Sequence, residues 1–541
     1  MKQIIAGLTA LVGACVIGVI VEGGVTASAH DQGSSSGPIV ASSVQGDVSP
    51  PLREIKPKHH DPTLHQHPLR VSGGGTSGGG DPALQTLNGP LVSALSGLNF
   101  AGVGNGDYGF VPNAAPPDTE GAVGATQYVQ WVNESFAIFD KATGALLYGP
   151  AAGNTHWTGF GGGCENNNDG DPIVQYDKLN GRWIFLQFSV STSPYLWCVA
   201  VSQTSDATGL YNRYAFNQGN RFPDYTKLGV WPDAYYVTAN TFNNGQSFAG
   251  PMACAWDGAG MRAAAPSVLE ICFQINSSSI HSLLPSDIDG VAAPPVGEKN
   301  LLARITTGGA LQFFQFHVDF ITPNNSTLSG PTSVGVASYT QACFGGTCVP
   351  QPGTSQKLDS LADRAMYRFA YRNFGGYESW LLNHSVATSF SRRSASGSGI
   401  RWYELRNGNP VGTAFGSVPK VYQQGTFAPD SIYRWMGSIA QDKNGDILVG
   451  YSVSSGSVFP GIRVTGRVPG DPLGTLESET TIQPGGGSQV GFNLSRWGDY
   501  SAMSVDPVND CTFFYTSEYL KASGAFNWST RIATYRFPSC N

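Results

Sequence analysis

Short strand-like segments recur along the chain, each followed by a tight turn and a second, more apolar segment. Four of the first segments begin with an aspartate, at Asp171, Asp224, Asp289 and Asp499. A unit that recurs through a chain is the signature of a repeat architecture, and its period decides the fold before any motif is considered. A repeated hairpin unit of this kind predicts a β-propeller.

Turn residues mark the position of each repeat. Asn180-Gly181 and Asn444-Gly445 each separate two β-rich runs, and Asn-Gly between such runs is the strongest short signal for a hairpin. Weaker turns fall near Ala125-Thr126, Pro232-Asp233, Gly297-Glu298, Gly375-Gly376 and Asn509-Asp510. The sequence therefore predicts an all-β propeller with seven four-stranded blades. Six blades are the alternative, because the unit around Asp289 is the faintest. Helices should be few, since no long stretch shows apolar residues at helical spacing.

The composition agrees with an all-β protein. Glycine accounts for 69 of the 541 residues, and charged residues make up 13% of the chain, against a usual fraction of about 25%. The formal net charge is -7, and no cluster of Lys or Arg is dense enough to follow a phosphate backbone. We therefore do not expect nucleic acid as a partner.

Residues 1–29 are predicted to be a signal peptide. An apolar run follows Lys2, and Ala27-Ser28-Ala29 supplies the small residues that a signal peptidase recognises. The alternatives are a retained membrane anchor, since the run is about 18 residues long, and a lipoprotein signal at Cys15. Glu22 and the glycines after it end the run early and favour cleavage. The mature chain is then secreted, extracellular or periplasmic, with no membrane span, and we expect a monomer.

Residues 30–95 are predicted to be a disordered linker rich in Gly, Ser, Pro and His, and residues 96–541 to be the propeller domain. The composition of the linker cannot bury enough apolar surface to offset the loss of chain entropy. It contains five of the nine histidines, which are His30, His59, His60, His65 and His67. The last four could bind a metal. A solvated spacer is the simpler interpretation, because no rigid element is expected to fix the ligands.

Eight cysteines remain after Cys15 leaves with the signal peptide, and an even number in an exported chain indicates disulfides. Sequence proximity favours four pairs: Cys343 with Cys348, Cys254 with Cys272, Cys511 with Cys540 and, by remainder, Cys164 with Cys198. Metal binding by cysteine is less favoured, because no Cys-x2-Cys pair occurs. We therefore expect a disulfide-stabilised propeller.

Propeller geometry indicates where the chemistry should lie. The connections into the innermost strands open on one face around the central channel, and function collects there. A ring of carboxylates is expected at this mouth, formed by Asp118, Glu120, Asp169, Asp171, Asp224, Asp289, Asp363 and Asp499. Several like charges cannot all stay ionised at low cost, so some pKa values should rise, as a general acid requires. Loops on the same face should carry Glu134, Tyr195, Asn243, His384 and Glu518.

Five of these carboxylates are the leading catalytic candidates: Asp118, Glu120, Asp171, Asp224 and Asp499. Glycoside hydrolysis needs one protonated carboxyl and one ionised partner, which neighbouring blades can supply. The alternative is structural. Each aspartate would accept backbone N–H groups and fix a turn, or the ring would hold calcium, with Asp169, Asp171, Asp287 and Asp289 as ligands. No cofactor is required, and calcium is the one ion considered.

Three arginines, Arg364, Arg434 and Arg496, precede or begin inner strands of consecutive blades, two of them in an Arg-Trp dipeptide. Guanidinium groups that face a channel suit a bidentate carboxylate, so an acidic sugar would satisfy them. The alternative is that each pairs with a nearby aspartate. Trp435 and Trp497 could stack on sugar rings, but aromatic residues beside inner strands more often pack between blades.

The blade plan resembles the sialidase-type (BNR/Asp-box) β-propeller superfamily. Ala440-Gln-Asp-Lys-Asn-Gly-Asp and Ser504-Val-Asp-Pro-Val-Asn-Asp lie where an Asp-box turn would be, although neither has the full Ser-x-Asp-x-Gly-x-Thr-Trp pattern. The resemblance implies that Arg364, Arg434 and Arg496 match the family's arginine triad. It also implies Tyr500, or Tyr433, as a nucleophile that Glu518 activates. The family's Phe/Tyr-Arg-Ile-Pro motif is missing from this sequence. Residues 95–541 also resemble a group of exported bacterial proteins, through Pro116-Pro-Asp-Thr-Glu-Gly-Ala-Val-Gly, Gly229-Val-Trp-Pro-Asp-Ala-Tyr-Tyr and Arg496-Trp-Gly-Asp-Tyr-Ser-Ala-Met.

His384 is the one folded-region histidine on the expected functional face. It could be the base of a polysaccharide lyase, with a neighbouring tyrosine as the acid, or a hydrogen-bonded structural histidine. The overall hypothesis is a secreted carbohydrate-active enzyme, a glycoside hydrolase or polysaccharide lyase, which acts on an extracellular glycan, acidic sugars included. The alternative is a non-catalytic, lectin-like or adhesive propeller.

Overall fold

A computed structural model describes residues 34–70, 80–391, 394–408, 412 and 414–540. The predicted signal peptide, Cys15 and His30 lie outside these residues. Seven strands precede the first blade in sequence: β1 Ser34–Ser35, β2 Ile39–Ser42, β3 Gln45–Val48, β4 His65–Gln66, β5 Leu84–Gln85, β6 Leu95–Ala101 and β7 Ala114–Ala115. Among the described residues, no helix has the length and apolar character needed to cross a membrane.

Six four-stranded antiparallel meanders follow in the described part of the chain, and a last unit of three strands is completed by the earlier strand β6. Blade I contains β8 Thr119–Val123, β9 Gln127–Val132, β10 Ser135–Asp140 and β11 Leu146–Ala152; blade II contains β12 Ile173–Asp177, β13 Arg182–Ser189, β14 Tyr195–Ser202 and β15 Tyr211–Gly219; blade III contains β16 Arg221–Val230, β17 Tyr235–Asn243, β18 Ser247–Trp256 and β19 Leu269–Asn276. Blade IV contains β20 Leu284–Ile288, β21 Asn300–Ile305, β22 Ala310–His317 and β23 Thr327–Gly335. After the hairpin of β24 Thr347–Val349 and β25 Leu358–Asp359, blade V contains β26 Met366–Asn373, β27 Tyr377–Ser391, β28 Ser394–Gly408 and β29 Lys420–Phe427. Blade VI contains β30 Tyr433–Gln441, β31 Ile447–Ser454, β32 Gly461–Arg467 and β33 Thr480–Gln483; blade VII contains β34 Ala502–Val505, β35 Thr512–Leu520 and β36 Trp528–Arg536, with β6 as its outermost strand.

The innermost strands form a closed circle. Each contacts the innermost strand of the next blade, in the order β8, β12, β16, β20, β26, β30 and β34, and β34 contacts β8 again. The N-terminal strand β6 closes the ring, because it pairs with β36 in the last blade. The predicted all-β propeller is therefore confirmed.

The helices are short. The α-helices are α1 Gly162–Asn166 and α2 Gly258–Arg262, and the 3-10 helices are Leu52–Glu54, Asp107–Gly109, Gly153–Trp157, Pro323–Asn325 and Ala342–Gly345. The two Asn-Gly turns predicted from sequence connect β12 to β13 and β30 to β31. Gly181 and Gly445 adopt positive φ angles of 64° and 88°, which glycine reaches without a Cβ clash. An aspartate side chain, Asp177 or Asp442, accepts backbone N–H groups of each turn.

All four predicted disulfides are present. Cys164 bonds to Cys198, Cys254 to Cys272, Cys343 to Cys348 and Cys511 to Cys540. The bond between Cys254 and Cys272 joins directly paired residues of β18 and β19. The bond between Cys511 and Cys540 ties the C-terminal residues to blade VII.

The prediction of a disordered linker is wrong for the described residues before blade I. Strands β1 and β2 pair with β19, β3 pairs with β15, and β5 pairs with β29, so these segments add to the outer edges of blades III, II and V. Leu52 is 1% exposed and packs in the core of blades I and II. These segments are ordered despite their composition, because a short segment that docks on an existing sheet edge needs no core of its own. It satisfies the open backbone groups of that edge instead.

Candidate active site at the mouth of the propeller

A cavity of about 790 Å³ lies at the mouth, the face on which the inner strands begin. Residues 58–70, here called the strap, line one side of it. The other side is formed by residues of blades I, II, III, V and VII and the loops before them, including Glu134, Asp171, Asp224, Tyr225, Arg364, Arg496 and Asp499. Of the eight carboxylates predicted to form a ring at the mouth, four line this cavity: Asp169, Asp171, Asp224 and Asp499.

Asp224 is the carboxyl with the clearest chemical character at this mouth. It lies in β16 beside a bulge that separates it from Lys227, and its side chain is 17% exposed. Burial and the charge of Asp171 raise its pKa to about 8, although Arg70 and Arg364 act in the opposite direction. A carboxyl in this environment is protonated at neutral pH and can donate a proton.

Asp118 and Asp171 connect neighbouring blades. Asp118 accepts the backbone N–H of Asp499 at 3.1 Å and the amide of Asn133 at 2.8 Å, and Asp171 accepts the backbone N–H of Tyr225 at 2.9 Å. Both have positive φ angles, 44° and 43°, a conformation that non-glycine residues adopt at a cost and often at functional sites. Burial and the charges of Asp499 and Asp171 raise the pKa of Asp118 well above its usual range. Both aspartates therefore accept backbone N–H groups, as the structural alternative predicted from the sequence.

Two of the three predicted arginines line the cavity, and both are paired. Arg364 donates to both oxygens of Asp363 at 2.8 and 3.0 Å. Arg496 forms an ion pair with Asp499 and donates to the carbonyl of His67 at 2.7 Å.

The prediction of an arginine triad is wrong, because the three arginines do not converge on one site. Arg434 binds Glu479 and Asp430 in blade VI and does not line the cavity. Each arginine instead pairs with a nearby acidic residue, as the alternative proposed.

The two predicted stacking residues are buried, so their assignment to sugar binding is wrong. Trp435 is 0% and Trp497 1% exposed, and their ring centroids lie 6.0 Å apart in the core. The indole N–H of Trp497 donates to Ser452. Both rings pack between blades because inner strands of adjacent blades bring large apolar side chains together.

Tyr500, Glu518 and His384 are also buried away from the cavity, each at 2% exposure or less. The hydroxyl of Tyr500 donates to the carbonyl of Pro172 at 3.1 Å, and Glu518 accepts the backbone N–H of Gly498 at 2.9 Å. Neither contact makes Tyr500 the nucleophile that the sialidase resemblance implies. Burial raises the pKa of Glu518 well above its usual range.

His384 contacts Tyr403, with Nε2 3.0 Å from the hydroxyl, and its ring lies against Tyr339. Burial, together with Arg401, lowers its pKa well below the usual range. The lyase base predicted from sequence is therefore a core histidine.

Glu120 and Lys227 lie beneath the mouth in the central channel, and both are 0% exposed. Burial raises the pKa of Glu120 well above its usual range, while Lys227 and Arg368 act against this effect. Burial lowers the pKa of Lys227 to about 8. Its ammonium lies 3.8 and 4.0 Å from the ring centroids of Tyr225 and Tyr500. Sequence inspection missed this central lysine, which no motif marks.

The four aspartates predicted to bind calcium do not form one site. Asp169 accepts the backbone N–H groups of Val190 and Ser191. Asp287 and Asp289 lie at the opposite ends of the inner strands, where β20 ends, and form ion pairs with Arg368. The sequence placed Asp289 before an inner strand, but the strand precedes it.

Two groups in the described residues have a composition that could hold a metal. Cys254, Glu270 and Cys272 form the first, but the two cysteines are joined in a disulfide. His65, His67 and Glu134 form the second, at the edge of the mouth cavity. Glu134 lies where the sequence predicted it, in the turn after the second strand of blade I. The strap histidines were noticed in the sequence, but nothing there indicated Glu134 as their partner.

The sequence matches no protein-family model and is not significantly similar to any curated protein. Solved structures similar to this chain include an exo-β-1,3-galactanase from Clostridium thermocellum, at 9% identity and a TM-score of 0.30, with 79% of this chain and 92% of that chain covered. An α-L-arabinofuranosidase from Fusarium graminearum follows at 10% identity and a TM-score of 0.32, with 82% and 99% covered. An ulvan lyase has 10% identity and a TM-score of 0.33, with 83% and 97% covered. Similarities this weak identify no activity, so the site must carry the functional argument.

Proposed function

We propose that the protein is a glycoside hydrolase whose active site is the mouth cavity. Asp224 is the general acid, and Asp171 is the second carboxyl of the site. Asp224 delivers its proton to the glycosidic oxygen as the bond to the anomeric carbon breaks. As that bond breaks, Asp171 either attacks the carbon to form a glycosyl-enzyme, which water then hydrolyses, or removes a proton from the water that attacks the carbon directly.

The environment of Asp224 is the observation that carries this proposal. It combines a raised pKa of about 8 with a side chain that lines an open cavity. Perturbed carboxyls in clefts are typical of active sites, although ion-pair networks also produce them. Asp171 lines the same cavity, and the N–H of Tyr225 fixes one of its oxygens. Neighbouring carboxyls in different environments are the pattern that separates an acid from its partner.

An uncharged glycan fits this cavity better than an acidic one. Arg364 and Arg496 already bind Asp363 and Asp499, so a substrate carboxylate would have to displace an existing ion pair. The lyase alternative loses its base, because His384 is buried away from the cavity.

A lectin-like propeller is the second candidate. It is favoured by the backbone contacts of Asp118 and Asp171, which give these carboxylates a structural role whether or not catalysis occurs.

Incubation of the full chain with a panel of neutral and acidic polysaccharides tests the proposal. We expect new reducing ends from a neutral polysaccharide and no absorbance from unsaturated uronates. Uronate absorbance would indicate a lyase instead. Retention on a glycan array without any cleavage would overturn the hydrolase assignment and support the binding module.

A further inference from the structure

The strap carries two histidines that face the same carboxylate of blade I. His65 and His67 flank Gln66 in an extended segment, whose backbone N–H groups bind the carbonyls of Asn113 and Ala115 at 2.9 Å. Alternate residues of a strand point to the same side. Gln66 points elsewhere and donates to the carbonyl of Phe492. The His-x-His spacing therefore presents both imidazoles to Glu134.

The distances between these groups suit a small metal ion. Nε2 of His65 lies 2.5 Å and Nε2 of His67 lies 3.5 Å from Oε1 of Glu134, and one ligand atom from each residue falls within 4.8 Å of the others. Ligands about 2.0 to 2.2 Å from a tetrahedral zinc ion are ~3.4 Å apart. His67 is already at this separation from Glu134, and His65 needs to move by less than about 1 Å.

The surrounding contacts leave the correct atoms available for a metal. Nδ1 of His65 lies 2.9 Å from the carbonyl of Thr63, which can accept its proton and leave Nε2 as a ligand. Oε2 of Glu134 accepts the amide of Asn113 at 3.0 Å, which orients the carboxylate and leaves Oε1 toward the histidines. Partners of this kind orient the ligands in metal sites.

His67 supplies a second observation that points to a ligand. Its Nε2 atom is buried and makes no hydrogen bond within the described residues, although it lies 3.5 Å from Oε1 of Glu134. Buried polar atoms are normally satisfied, and those that are not require an explanation such as an ion. A metal bound between Nε2 and Oε1 of Glu134 would satisfy this atom.

We infer that His65, His67 and Glu134 bind one divalent transition metal ion of the zinc class. Two imidazoles and one carboxylate are a donor set that zinc accepts, whereas calcium and magnesium prefer oxygen alone. All three side chains border the mouth cavity, so the fourth coordination position is open to water or to a ligand hydroxyl. The metal would fasten the strap to blade I beside the carboxylates. This inference does not depend on the proposed hydrolase activity.

Zinc titration of the full chain, without a polyhistidine tag and after removal of bound metal with a chelator, tests the site. We expect one equivalent of Zn²⁺ to bind the unaltered protein and to raise its melting temperature. His65→Ala and His67→Ala should each weaken binding by at least about 100-fold, because each removes a direct ligand. His59→Ala is the matched control. It removes an exposed histidine of the same strap and should bind Zn²⁺ as the unaltered protein does.

Glu134→Gln keeps the size of the side chain, so it tests the site even where a histidine variant fails to fold. It should also weaken Zn²⁺ binding, with circular dichroism unchanged. Co²⁺ in place of Zn²⁺ should give the intense visible absorption of a four-coordinate site, and this absorption should be absent in His67→Ala. Absence of Zn²⁺ binding, or equal binding by the unaltered protein and all four variants, would overturn the inference.

Discussion

Buried aspartates lie at both ends of the inner strands, but the pKa of Asp289 at the far end is lowered, whereas that of Asp224 at the mouth is raised. At the far end, Arg368 binds both Asp287 and Asp289, and Lys178 lies 3.1 Å from Asp289. Burial alone would raise the pKa of Asp289, but these cations together with Arg372 lower it below its usual value. At the mouth, burial and the charge of Asp171 raise the pKa of Asp224 to about 8, and Arg70 and Arg364 oppose this shift only in part.

Burial therefore does not by itself make a carboxyl reactive. Both ends remove aspartates from water, which disfavours the charged form. At the far end, buried cations compensate Asp289, which acts as a structural anion, whereas burial raises the pKa of Asp287 even though Arg368 and Lys178 oppose it. At the mouth, the nearby arginines do not fully offset the burial of Asp224. A protonated carboxyl therefore lines an open cavity, within reach of a ligand.

Asp224→Asn should reduce hydrolysis by about 10² to 10⁴-fold, the usual contribution of a general acid, with little change in melting temperature. Asp510→Asn is the matched change at the far end, where Asp510 binds Arg372 at 2.7 Å. It should lower the melting temperature and leave the rate per folded molecule unchanged. Rates on the polysaccharide identified by the panel and thermal melts would measure both effects. Equal rates for the two variants would contradict the contrast.

Arg368→Met should lower the free energy of unfolding by about 3 to 5 kcal/mol, because it leaves two buried aspartates without their partner. Arg53→Ala is the control, since Arg53 and Asp206 form an ion pair that is about half exposed. Its loss should cost only about 0 to 1 kcal/mol. Urea unfolding monitored by fluorescence would compare the two variants. A similar cost for both would show that the far end is not held by its buried ion pairs.

Hydrolysis should fall as the pH rises through about 8, because Asp224 must be protonated to act as the acid. Arg70, whose Nε lies 3.7 Å from Asp224, lowers this pKa. Arg70→Gln should therefore move the falling limb of the pH profile upward, by less than about one unit. The folded state holds this proton between the ordinary pKa of 3.8 and about 8, so Asp224 makes the fold less stable as the pH rises across that interval. A limb that is absent, or that Arg70→Gln moves downward, would exclude Asp224 as the acid.

Much of the architecture followed from local sequence signals. The two Asn-Gly turns and the four cysteine pairs were predicted correctly, because hairpins and short-range disulfides depend on residues that are close in sequence. The position of Glu134 in a turn at the mouth was also predicted, since the meander order fixes which turns share a face. Asp289 was misplaced, because a carboxylate can equally well precede or follow a short strand.

Side-chain partners were harder to predict. Arg434 and Arg496 share an Arg-Trp dipeptide, yet one binds Glu479 in blade VI and the other binds Asp499 and the strap. His384 lies in a segment that looked like a functional loop, but β27 continues through it into the core. Neither outcome is encoded in residues near the position itself.

By itself the sequence determined a ring of hairpin blades, their covalent cross-links and a mouth rich in acidic residues, because turn chemistry and strand order act over short distances. Only the tertiary structure decided which carboxylates are neutralised, and that residues 58–70 lie over the mouth with His65 and His67 against Glu134. Those outcomes depend on burial and on charges from segments far apart in the chain, and both quantities exist only once the ring has closed.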